Sequence, residues 1–430
     1  MNDDLIYFGQ KLSHGADEPF GLGEADACRH VYIIGQTGAG KTTLLRNIVL
    51  QRIQAGQGVA LIDPHGDVAD ELLDHFPTER TLDLVYFDPA SADFPIAFNP
   101  LANVPPDQRA LVTAGLVSAF KSIWQESWGP RLEYILGFTI AALLEAENTT
   151  LLGINRMLSD EAYRAGIVAQ VRDPFIRAFW TDEFAHYEKR YQREAVGPVQ
   201  NKLGQFARSP LLRNIIGQVG NKLDFRHMMD TGRVFNANLS KGRLGDEPAN
   251  LLGALLVAQF KHAAMTRADL PETERRVFHL MIDEFHNFTT ASIAGALSEI
   301  RKYGLSLTLA HQFIDQLTDD IRPAVFGNVG TLISFRVGSA DAEHMAREFG
   351  QEFTAGQFSD LQRHEIFVRT LENGQPRAPF RGLTYPPILS PTYRKEKLIG
   401  HSRQKYATPR EKVERRLQDW MKVEPRAEAG

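Results

Sequence analysis

Apolar residues fall into short runs that alternate with helical segments in two stretches of this 430-residue chain. In residues 42–55 the apolar positions recur every three or four residues, as they do on one face of a helix. Two later runs, 365–370 and 377–383, flank Asn373-Gly374, a dipeptide that favours a tight hairpin turn. The other runs predict buried strands at residues 30–35, 58–64, 81–88, 233–239, 277–283, 305–310 and 331–337. Short apolar strands that alternate with helices are typical of a parallel sheet.

The middle of the chain has a different pattern. Between residues 104 and 217 the strand signals vanish, and long helical segments such as 109–124 and 131–145 dominate. The sequence therefore predicts an α/β fold, with a central, mostly parallel sheet flanked by helices and an all-α inserted domain. The predicted domains are a discontinuous sheet domain of residues 1–103 and 218–390, a helical insertion of residues 104–217 and a tail of residues 391–430.

Composition indicates an ordinary globular protein. Apolar residues make up 43% and charged residues 23% of the chain, close to the average for soluble proteins. The most continuous apolar stretch, residues 134–144, is shorter than the roughly 18 residues that a membrane-spanning helix needs. The amino terminus is acidic where a signal peptide is basic, and the single cysteine, Cys28, fits a reducing compartment. We therefore expect a cytoplasmic protein that does not insert into a membrane.

Charge is distributed unevenly along the chain. The net charge of -5 argues against a protein that coats nucleic acid through overall attraction, but it is compatible with a local basic channel. Residues 391–430 contain 11 Lys or Arg against 6 Asp or Glu. The preferred interpretation of this basic tail is a solvated terminal helix, and contact with nucleic acid is the alternative.

A glycine-rich loop stands between the first predicted strand of the parallel set and the helix that follows it. Residues 35–42 read GQTGAGKT, which matches the phosphate-binding pattern GxxxxGK[ST] in its required strand, loop and helix context. The glycines let backbone N–H groups surround the phosphates, Lys41 reaches the β and γ phosphates, and the Thr42 hydroxyl can bind Mg²⁺. The predicted nucleotide-binding residues are Gly35, Gln36, Thr37, Gly38, Ala39, Gly40, Lys41, Thr42 and Thr43.

An acidic pair follows another predicted strand. The apolar run VFHLMI is followed at once by Asp283 and Glu284. A P-loop needs a second carboxylate on the metal side, and Asp283 is predicted to supply it. Glu284 is predicted to orient and deprotonate the attacking water as a general base. Such an acidic pair is common by itself, so this interpretation depends on the presence of Lys41 and Thr42. Together these residues predict hydrolysis of ATP with Mg²⁺.

Three further segments resemble a known family. Residues 61–67, LIDPHGD, are similar to a turn after the second strand of the HerA–FtsK superfamily of ring-forming motor ATPases. Residues 300–304, IRKYG, with AHQ at 310–312, resemble its Arg-Lys-x-Gly, strand, x-x-Gln block. Residues 331–337, TLISFRV, and the segment 339–343 resemble the strand and acidic turn that follow. The likeness is greatest to the coupling ATPases of conjugation and type IV secretion, of the TraG and TraD type.

The resemblance implies a RecA-like P-loop NTPase fold, ATP and Mg²⁺ as cofactors, and a ring of subunits for which a homohexamer is expected. It implies that Gln312, at a strand end, senses the γ-phosphate. It also implies that Arg301, 17 residues after Glu284, reaches the nucleotide of the neighbouring subunit. Such an arginine stabilises the negative charge of phosphoryl transfer, so that activity requires the ring. With Lys41, these three residues are the predicted catalytic set.

Several polar residues have two interpretations. Arg336 is a second candidate for the arginine that acts on a neighbour, with a surface salt bridge as an equal alternative. Asp63, His65 and Asp67 have the residue types and the spacing of a metal cluster, but a turn beside the P-loop is preferred. Gln312 has the alternative role of a polar strand cap.

Two pairs of residues in loops have no assigned chemistry. Lys241 and Arg243 lie in the loop LSKGRLG, where they could contact nucleic-acid phosphates, although a plain solvated loop is preferred. His286 and Asn287 follow the acidic pair and are expected to shape its loop instead of taking part in chemistry.

Three functions are compatible with these motifs. The first is a cytoplasmic ring motor that moves DNA through a central pore in conjugation or mobile-element transfer. The second keeps the ATPase but gives it a protein partner, such as a secretion protein, a mobile-element protein or an effector nuclease. The third is a scaffold with slow hydrolysis, against which the intact Glu284 argues. Coupling proteins usually carry membrane helices before the P-loop, so we expect either a separate anchor protein or a soluble relative.

Overall fold

The computed structural model describes residues 5–12, 18–125, 128–288 and 290–422. The chain divides into two compact units. Unit 1 consists of Met1–Phe87, Phe225–Gly242 and Ala263–Ser402, and unit 2 consists of Asp88–Asp224, Arg243–His262 and Arg403–Gly430. The strands lie in unit 1, whereas unit 2 is built from helices.

Unit 1 is built around one large sheet. The strands of the described residues are β1 Leu5–Lys11, β2 Glu18–Gly23, β3 Val31–Ile34, β4 Gly58–Asp63, β5 Leu84–Phe87, β6 Val234–Asn238, β7 Phe278–Ile282, β8 Leu305–His311, β9 Thr331–Ser334, β10 Glu365–Arg369, β11 Leu371–Glu372, β12 Gln375–Pro376 and β13 Phe380–Thr384. The sheet has eleven strands in the order β2-β1-β13-β10-β9-β3-β8-β7-β4-β6-β5, and β11 pairs with β12 in a small separate hairpin.

The part of the sheet from β9 to β5 is entirely parallel. Its seven strands are those predicted from the apolar runs between residues 30 and 337, so the predicted α/β fold with a mostly parallel sheet is confirmed. All residues of these strands are buried. Strands covered on both faces have continuous apolar sequences, which explains why these runs do not alternate with polar residues.

The other edge of the sheet is antiparallel and was missed in part by the sequence analysis. β1 pairs with both β2 and β13, and β13 pairs with β10. A Cβ on Gly9 would lie 2.1 Å from the Leu383 carbonyl oxygen, and one on Gly21 would lie 2.3 Å from the Ile6 carbonyl oxygen. Because glycines at these close approaches interrupt the apolar pattern, β1 and β2 have no clear strand signal in the sequence.

The Asn-Gly dipeptide forms the tight turn that was predicted for it. Asn373 and Gly374 both have positive φ angles, 52° and 78°, as the favoured two-residue hairpin turn requires. They connect β11 to β12, in which Glu372 is opposite Gln375. The Asp26 carboxylate accepts hydrogen bonds from the N–H groups of both turn residues, at 2.8 and 2.9 Å, and so fixes the hairpin to unit 1.

The helices match the predicted helical segments closely. They are α1 Glu24–Ala27, α2 Lys41–Gln54, α3 Asp67–Asp74, α4 Arg109–Ile123, α5 Pro130–Glu145, α6 Gly153–Ser159, α7 Glu161–Val168, α8 Pro174–Ala178, α9 Lys189–Arg208, α10 Pro210–Ile216, α11 Phe225–Thr231, α12 Lys241–Leu244, α13 Asp246–Thr266, α14 Ala291–Ile300, α15 Ile321–Asn328, α16 Ser339–Glu348, α17 Ala355–Ser359, α18 Lys395–Tyr406 and α19 Arg410–Lys422. None of these described helices combines the length and the apolar character needed to cross a bilayer.

The carboxyl-terminal tail is not the simple solvated helix that was expected. It forms α18 and α19, and α19 buries Val413 and Leu417, which lie on one helical face. A Leu417 methyl carbon lies within 2.8 Å of the position that a Cβ on Gly217 would occupy. Asn214 donates a hydrogen bond to Glu414 at 3.4 Å. α19 is therefore part of the packing of unit 2, whereas residues 391–402 of the tail belong to unit 1.

The borders of the two units differ from the domain borders expected from the sequence. Unit 2 contains residues 88–103, 218–224, 243–262 and 403–422 in addition to the helical segment that was expected to form the insertion. These segments have few strand signals of their own, and their contacts in space decide which unit they join. The division into a motor domain, a helical insertion and a tail stays a prediction.

Arg267 is a buried cation that joins several segments of unit 1. Its side chain is fully buried. Its Nε donates to Asp230 Oδ1 at 2.9 Å, and its Nη1 donates to the backbone carbonyls of Arg276 and Tyr303 at 2.8 and 3.2 Å. The guanidinium group therefore links α11 to the segments that lead into β7 and β8.

We predict that Arg267→Ala lowers the free energy of unfolding of unit 1 by about 2–5 kcal/mol, because two backbone carbonyls lose their buried donor and the packing of the side chain is lost, while Asp230 keeps its ion pair with Arg226. Arg377→Ala is the matched control, since the ion pair of Arg377 with Glu372 is solvent-exposed and should contribute less than about 1 kcal/mol. Denaturant unfolding of both variants checks this prediction. Equal midpoints for the two variants would contradict it.

Candidate active site

The glycine-rich loop joins the end of β3 to the start of α2. Gly38 and Gly40 have φ angles of 78° and 123°, a region that glycine enters at little cost. A Cβ on Gly40 would lie 2.7 Å from His364 Nδ1 and 3.0 Å from a ring carbon of Phe335. Both the backbone angle and the close neighbours therefore require glycine at position 40.

Backbone hydrogen bonds attach this loop to the strands on either side of β3. The Gly35 N–H donates to the His311 carbonyl, at the end of β8, at 3.3 Å. The Gln36 N–H donates to the Arg336 carbonyl, just beyond β9, at 2.8 Å. The shape of the loop therefore depends on strand pairing as well as on its own glycines.

His364 is a neighbour of the loop that the sequence analysis missed. It lies just before β10 with a φ of 70°, and its N–H donates to the Ala39 carbonyl at 2.9 Å. Its ring contacts the face of Gly40, as described above. Because this contact depends on the antiparallel pairing of β10 with β9, no local pattern in the sequence could have indicated it.

Lys41 begins α2 and is buried. Its Nζ donates to the carbonyl oxygens of Gly35, at 2.5 Å, and Gln36, at 3.3 Å. Burial lowers the pKa of Lys41, while the carboxylates of Glu284 and Asp283 raise it. The lysine thus lies close to both acidic side chains, with its ammonium group over the loop.

The rest of the loop provides an open site for an anion. Gln36, Thr37, Gly38 and Thr42 are exposed, Gly40 and Thr43 are half-buried, and Gly35 and Ala39 are buried. The N–H groups in the first turn of α2 have no partners within the helix, and the helix dipole places positive potential there. This combination of exposed loop and helix start suits a phosphate group.

Asp283 directly follows β7 and is 4% exposed. Its Oδ1 accepts a hydrogen bond from the Glu284 N–H at 3.0 Å. Burial raises the pKa of Asp283 to about 7, and repulsion from Asp63 and Glu284 adds to this effect. The Glu284 N–H and Lys41 oppose it. A cation at this point would relieve the repulsion, so Asp283, with the Thr42 hydroxyl, fits a divalent metal ion.

Glu284 has an unusual backbone conformation. Its φ and ψ angles are 45° and 51°, in the left-handed region that residues other than glycine seldom adopt. The Asn287 N–H and its Nδ2 both donate to the Glu284 carbonyl at 3.0 Å and hold this conformation. The side chain is 6% exposed, and its Oε1 accepts a hydrogen bond from Gln312 Nε2 at 2.8 Å. Such strained residues often occur at functional sites.

The structure brings Lys41, Asp283, Glu284 and Gln312 together. They follow β3, β7 and β8, which are neighbours in the sheet in the order β3-β8-β7. Because these strands are parallel, their carboxyl ends meet at one edge of the sheet. The predicted catalytic roles of these residues stay predictions, but their proximity is a property of the fold.

Asp63 forms a turn and not a metal cluster. Its Oδ1 accepts from the His65 N–H at 2.9 Å, and its Oδ2 accepts from the Ala69 N–H at 3.0 Å. Both oxygens thus stabilise the turn from β4 into α3. Within the part of the chain that the structure describes, no group of His, Cys, Asp or Glu is arranged to hold a metal ion by itself. The hydrogen bonds of Asp63 therefore show the turn that was expected of this motif.

Arg301 lies apart from the other predicted site residues. It precedes β8, so it is at the opposite edge of the sheet from the P-loop, and β8 has seven residues, a length of roughly 20 Å. Arg301 is exposed, and no ion pair or hydrogen bond of its side chain is found among the described residues. It cannot reach the P-loop of its own chain.

Arg336 and Lys241 lie on the same edge as the P-loop. The Arg336 side chain is exposed and makes no ion pair with any described residue, so both alternatives for this arginine stay open. Lys241 is half-buried and donates to Asn287 Oδ1 at 2.7 Å. In unit 2, Arg243 forms an ion pair with Asp88 at 3.2 Å.

Comparison with known protein families gives two matches. The family described as Helicase HerA, central domain, matches residues 22–241, more than half of the chain. The chain belongs to the HerA central-domain family. A second family, described as TraM recognition site of TraD and TraG, matches residues 277–366 of this HerA-family chain. These matches confirm the resemblance to the HerA–FtsK superfamily that the motifs indicated. No curated protein matches the sequence.

Solved structures show the same fold. Plasmid coupling protein TrwB in complex with ADP and Mg²⁺ is 15% identical, with a TM-score of 0.64 over 90% of this HerA-family chain and 97% of that chain. TrwB with the ATP analogue ADPNP has a TM-score of 0.63 at 15% identity, over 89% and 91% of the two chains. VirB4 of Thermoanaerobacter pseudethanolicus has a TM-score of 0.59 at 14% identity, over 92% and 99%. The HerA-family chain therefore has the RecA-like P-loop fold.

The raised pKa of Asp283 predicts a pH-dependent effect of Asp283→Asn. The carboxyl pKa is 3.8 in its ordinary state and about 7 in the folded chain, so the folded chain holds this proton more tightly. The stabilising contribution of the protonated carboxyl is complete below about pH 4 and is lost as the pH rises through about 7. In metal-free buffer, Asp283→Asn should therefore raise the Tm relative to wild type by several degrees more at pH 8 than at pH 5.

Thermal unfolding with a chelator, at both pH values, measures this difference. Asp319→Asn is the control, because the Asp319 side chain is fully exposed. A Tm difference between Asp283→Asn and wild type that is the same at both pH values would contradict the prediction.

Proposed function

We propose that this HerA-family chain is a cytoplasmic motor that hydrolyses ATP with Mg²⁺, assembles as a homohexameric ring and translocates DNA. The observation that carries the proposal is that Lys41, Asp283 and Glu284 follow parallel strands whose carboxyl ends lie at one edge of the sheet. The solved TrwB structures contain ADP with Mg²⁺ and ADPNP, and we extend these ligands to this chain.

The arrangement of the site supports direct attack by water. The water oxygen bonds to the γ-phosphorus, the bond from this phosphorus to the β–γ bridging oxygen breaks, and that electron pair leaves with ADP. The water proton passes to the Glu284 carboxylate, whose Oε2 is buried and accepts no hydrogen bond from the described residues. Lys41 would hold the β and γ phosphates, and Thr42 and Asp283 would hold the magnesium ion. When bound, Mg²⁺ neutralises negative charge on the phosphates.

The position of Arg301 supports a ring. This arginine is exposed at the edge of the sheet opposite the P-loop. In a ring of copies that meet head to tail, one edge of each subunit faces the other edge of its neighbour. Arg301 is then able to place its guanidinium group against the γ-phosphate of the adjacent subunit, where it stabilises the charge of the transition state.

DNA is the cargo that we favour. The support is membership of a family described as a helicase, together with the likeness to plasmid coupling proteins. Since the net charge of the chain is -5, DNA contacts would depend on local basic groups such as Lys241 and would weaken as salt rises.

We predict that the purified chain hydrolyses ATP and that DNA increases the rate at low salt. Glu284→Gln should lower kcat by roughly a hundredfold or more, because it removes the base but preserves the size of the side chain. ATP binding should remain. Glu352→Gln, which changes an exposed glutamate, is the matched control. Phosphate release, with and without DNA, and binding of a fluorescent ATP analogue measure these effects.

Each outcome addresses a different part of the proposal. Hydrolysis that persists in Glu284→Gln would remove Glu284 from the role of base. Equal rates with and without DNA, combined with no DNA binding at low salt, would exclude DNA as the cargo. Absence of hydrolysis in the wild-type chain would exclude the ATPase itself.

We further predict that Arg301→Ala binds ATP normally but loses most of its hydrolysis. Mixing Arg301→Ala with Glu284→Gln should restore part of the activity, because some sites then combine an intact Glu284 with an Arg301 from the neighbour. Arg377→Ala serves as the control arginine variant. Measurement of hydrolysis across mixing ratios, alongside the mass of the ATP-bound assembly, checks this. An unaffected rate in Arg301→Ala, or no recovery on mixing, would refute action between subunits.

A protein partner is the second candidate function. It is favoured by the match of residues 277–366 to a family described as a recognition site for TraM. This segment contains Asp283, Glu284 and Gln312, so a partner bound there would act close to the site of hydrolysis. Mass spectrometry of proteins captured with the chain, and hydrolysis measured with the captured partner in place of DNA, distinguish this function from DNA translocation.

A further inference from the structure

Side chains from the loops after β7 and β8 form a closed arrangement around Glu284. On one side, Gln312 Nε2 donates to Glu284 Oε1 at 2.8 Å. On the other side, Glu284 Oε2 lies 3.5 Å from His286 Nδ1. The second ring nitrogen of His286, Nε2, lies 3.3 Å from Gln316 Nε2. The Gln316 Oε1 accepts a hydrogen bond from the backbone N–H of Gln312, so the contacts among Glu284, His286, Gln316 and Gln312 form a ring.

The orientation of the Gln316 amide is fixed by its neighbours. Its oxygen accepts from two backbone N–H groups, those of Gln312 at 3.3 Å and Phe313 at 3.2 Å. A flipped amide would direct its NH₂ group at these two donors, so the NH₂ group must face His286 instead. This assignment comes from the hydrogen-bond partners and requires no information on hydrogen positions.

The Gln316 amide in turn selects the tautomer of His286. An NH₂ group only donates, so His286 Nε2 must accept its hydrogen bond. Burial lowers the pKa of His286, which favours the neutral ring with one proton. That proton is then on Nδ1, the nitrogen that faces Glu284 Oε2. At 3.5 Å the contact is long, and contacts of this kind shorten when substrate binds.

We propose that His286 is a positioning residue for Glu284, with its Nδ1 proton directed at the carboxylate by Gln316. This inference rests on the proposed ATPase function. Gln312 and His286 each contact a different oxygen of the Glu284 carboxylate, and the Asn287 contacts fix its backbone. Rotation of the carboxylate is therefore restricted, so that the oxygen that takes the proton from water is held in one place.

The same ring of contacts joins Glu284, the proposed base, to Gln312, the residue predicted to sense the γ-phosphate. Gln312 contacts Glu284 through its side chain and Gln316 through its backbone N–H. A displacement of Gln312 is thus transmitted to Glu284 directly and also through Gln316 and His286. The sequence analysis expected His286 only to shape its loop, and it gave Gln316 no role.

The test compares two substitutions of His286. His286→Ala should lower kcat for ATP hydrolysis by roughly ten- to hundredfold, the usual effect of removing an orienting partner. His286→Asn should recover most of this loss, because the asparagine Nδ2 donates from nearly the same place as histidine Nδ1. In both variants the KM for ATP, the affinity for a fluorescent ATP analogue and the Tm should stay close to wild type. His186→Ala, an exposed histidine of unit 2, is the matched control.

A double-mutant cycle tests the role of Gln316. Gln316→Ala should lower kcat. The double variant with His286→Ala should have the same kcat as His286→Ala alone, because both changes interrupt the same ring of contacts. Additive losses would show that the two residues act independently and would overturn the tautomer argument.

Other outcomes separate this inference from the proposed function. If the wild-type chain is active and His286→Ala has the same kcat, His286 does not position Glu284, and the ATPase proposal stands. If His286→Asn is folded, binds ATP and is as slow as His286→Ala, donation from the Nδ1 position is excluded. If the wild-type chain hydrolyses no ATP while its nucleotide affinity is normal, both proposals are wrong.

Discussion

The site depends on the repulsion among three carboxyl groups that are buried at one edge of the sheet. Asp63, Asp283 and Glu284 are each less than 7% exposed, and like charges repel strongly in a medium of low dielectric constant. Each is stabilised differently. Asp63 accepts two backbone N–H groups, Glu284 accepts from Gln312, and Asp283 holds a proton up to about pH 7. The repulsion among the three carboxylates is neutralised fully only when a cation binds beside them. Binding of a metal ion with nucleotide should therefore change the stability of unit 1.

Parallel strand pairing brings these groups together. The P-loop follows β3, Asp63 ends β4, the acidic pair follows β7 and Gln312 follows β8, and these strands are consecutive neighbours in the order β3-β8-β7-β4. All four carboxyl ends lie at one edge, whereas segments that precede the strands lie at the other. Arg301 precedes β8 and is therefore separated from the P-loop by the length of a strand. This separation is the basis of the proposed head-to-tail ring.

Contacts between loops give the edge its rigidity. The P-loop is fixed through the carbonyls of His311 and Arg336, and His364 covers Gly40 from a strand in the antiparallel part of the sheet. The loops after β7 and β8 are joined by Glu284, His286, Gln312 and Gln316. Because each loop is held by residues of another, a ligand that moves one of them acts on the whole edge.

The sequence by itself determined what depends on neighbours along the chain. Mostly apolar runs predicted the seven parallel strands, because strands covered on both faces are predominantly apolar. The Asn373-Gly374 turn and the positive φ angles of Gly38 and Gly40 follow from steric rules that act within a few residues. The motif order then identified the family.

Only the tertiary structure decided what depends on residues distant in the sequence. β1 joins the sheet by pairing with β13 and β2 joins it by pairing with β1, and Arg267 becomes a buried link because Asp230 and two backbone carbonyls converge on it. The tail looked like a solvated helix, yet Val413 and Leu417 are buried in unit 2. His364 and Gln316 carry no local signal, because their positions beside Gly40 and His286 arise only when strands remote in sequence are paired. Periodicity reports which face of an element is buried, but not which residue of another element it meets.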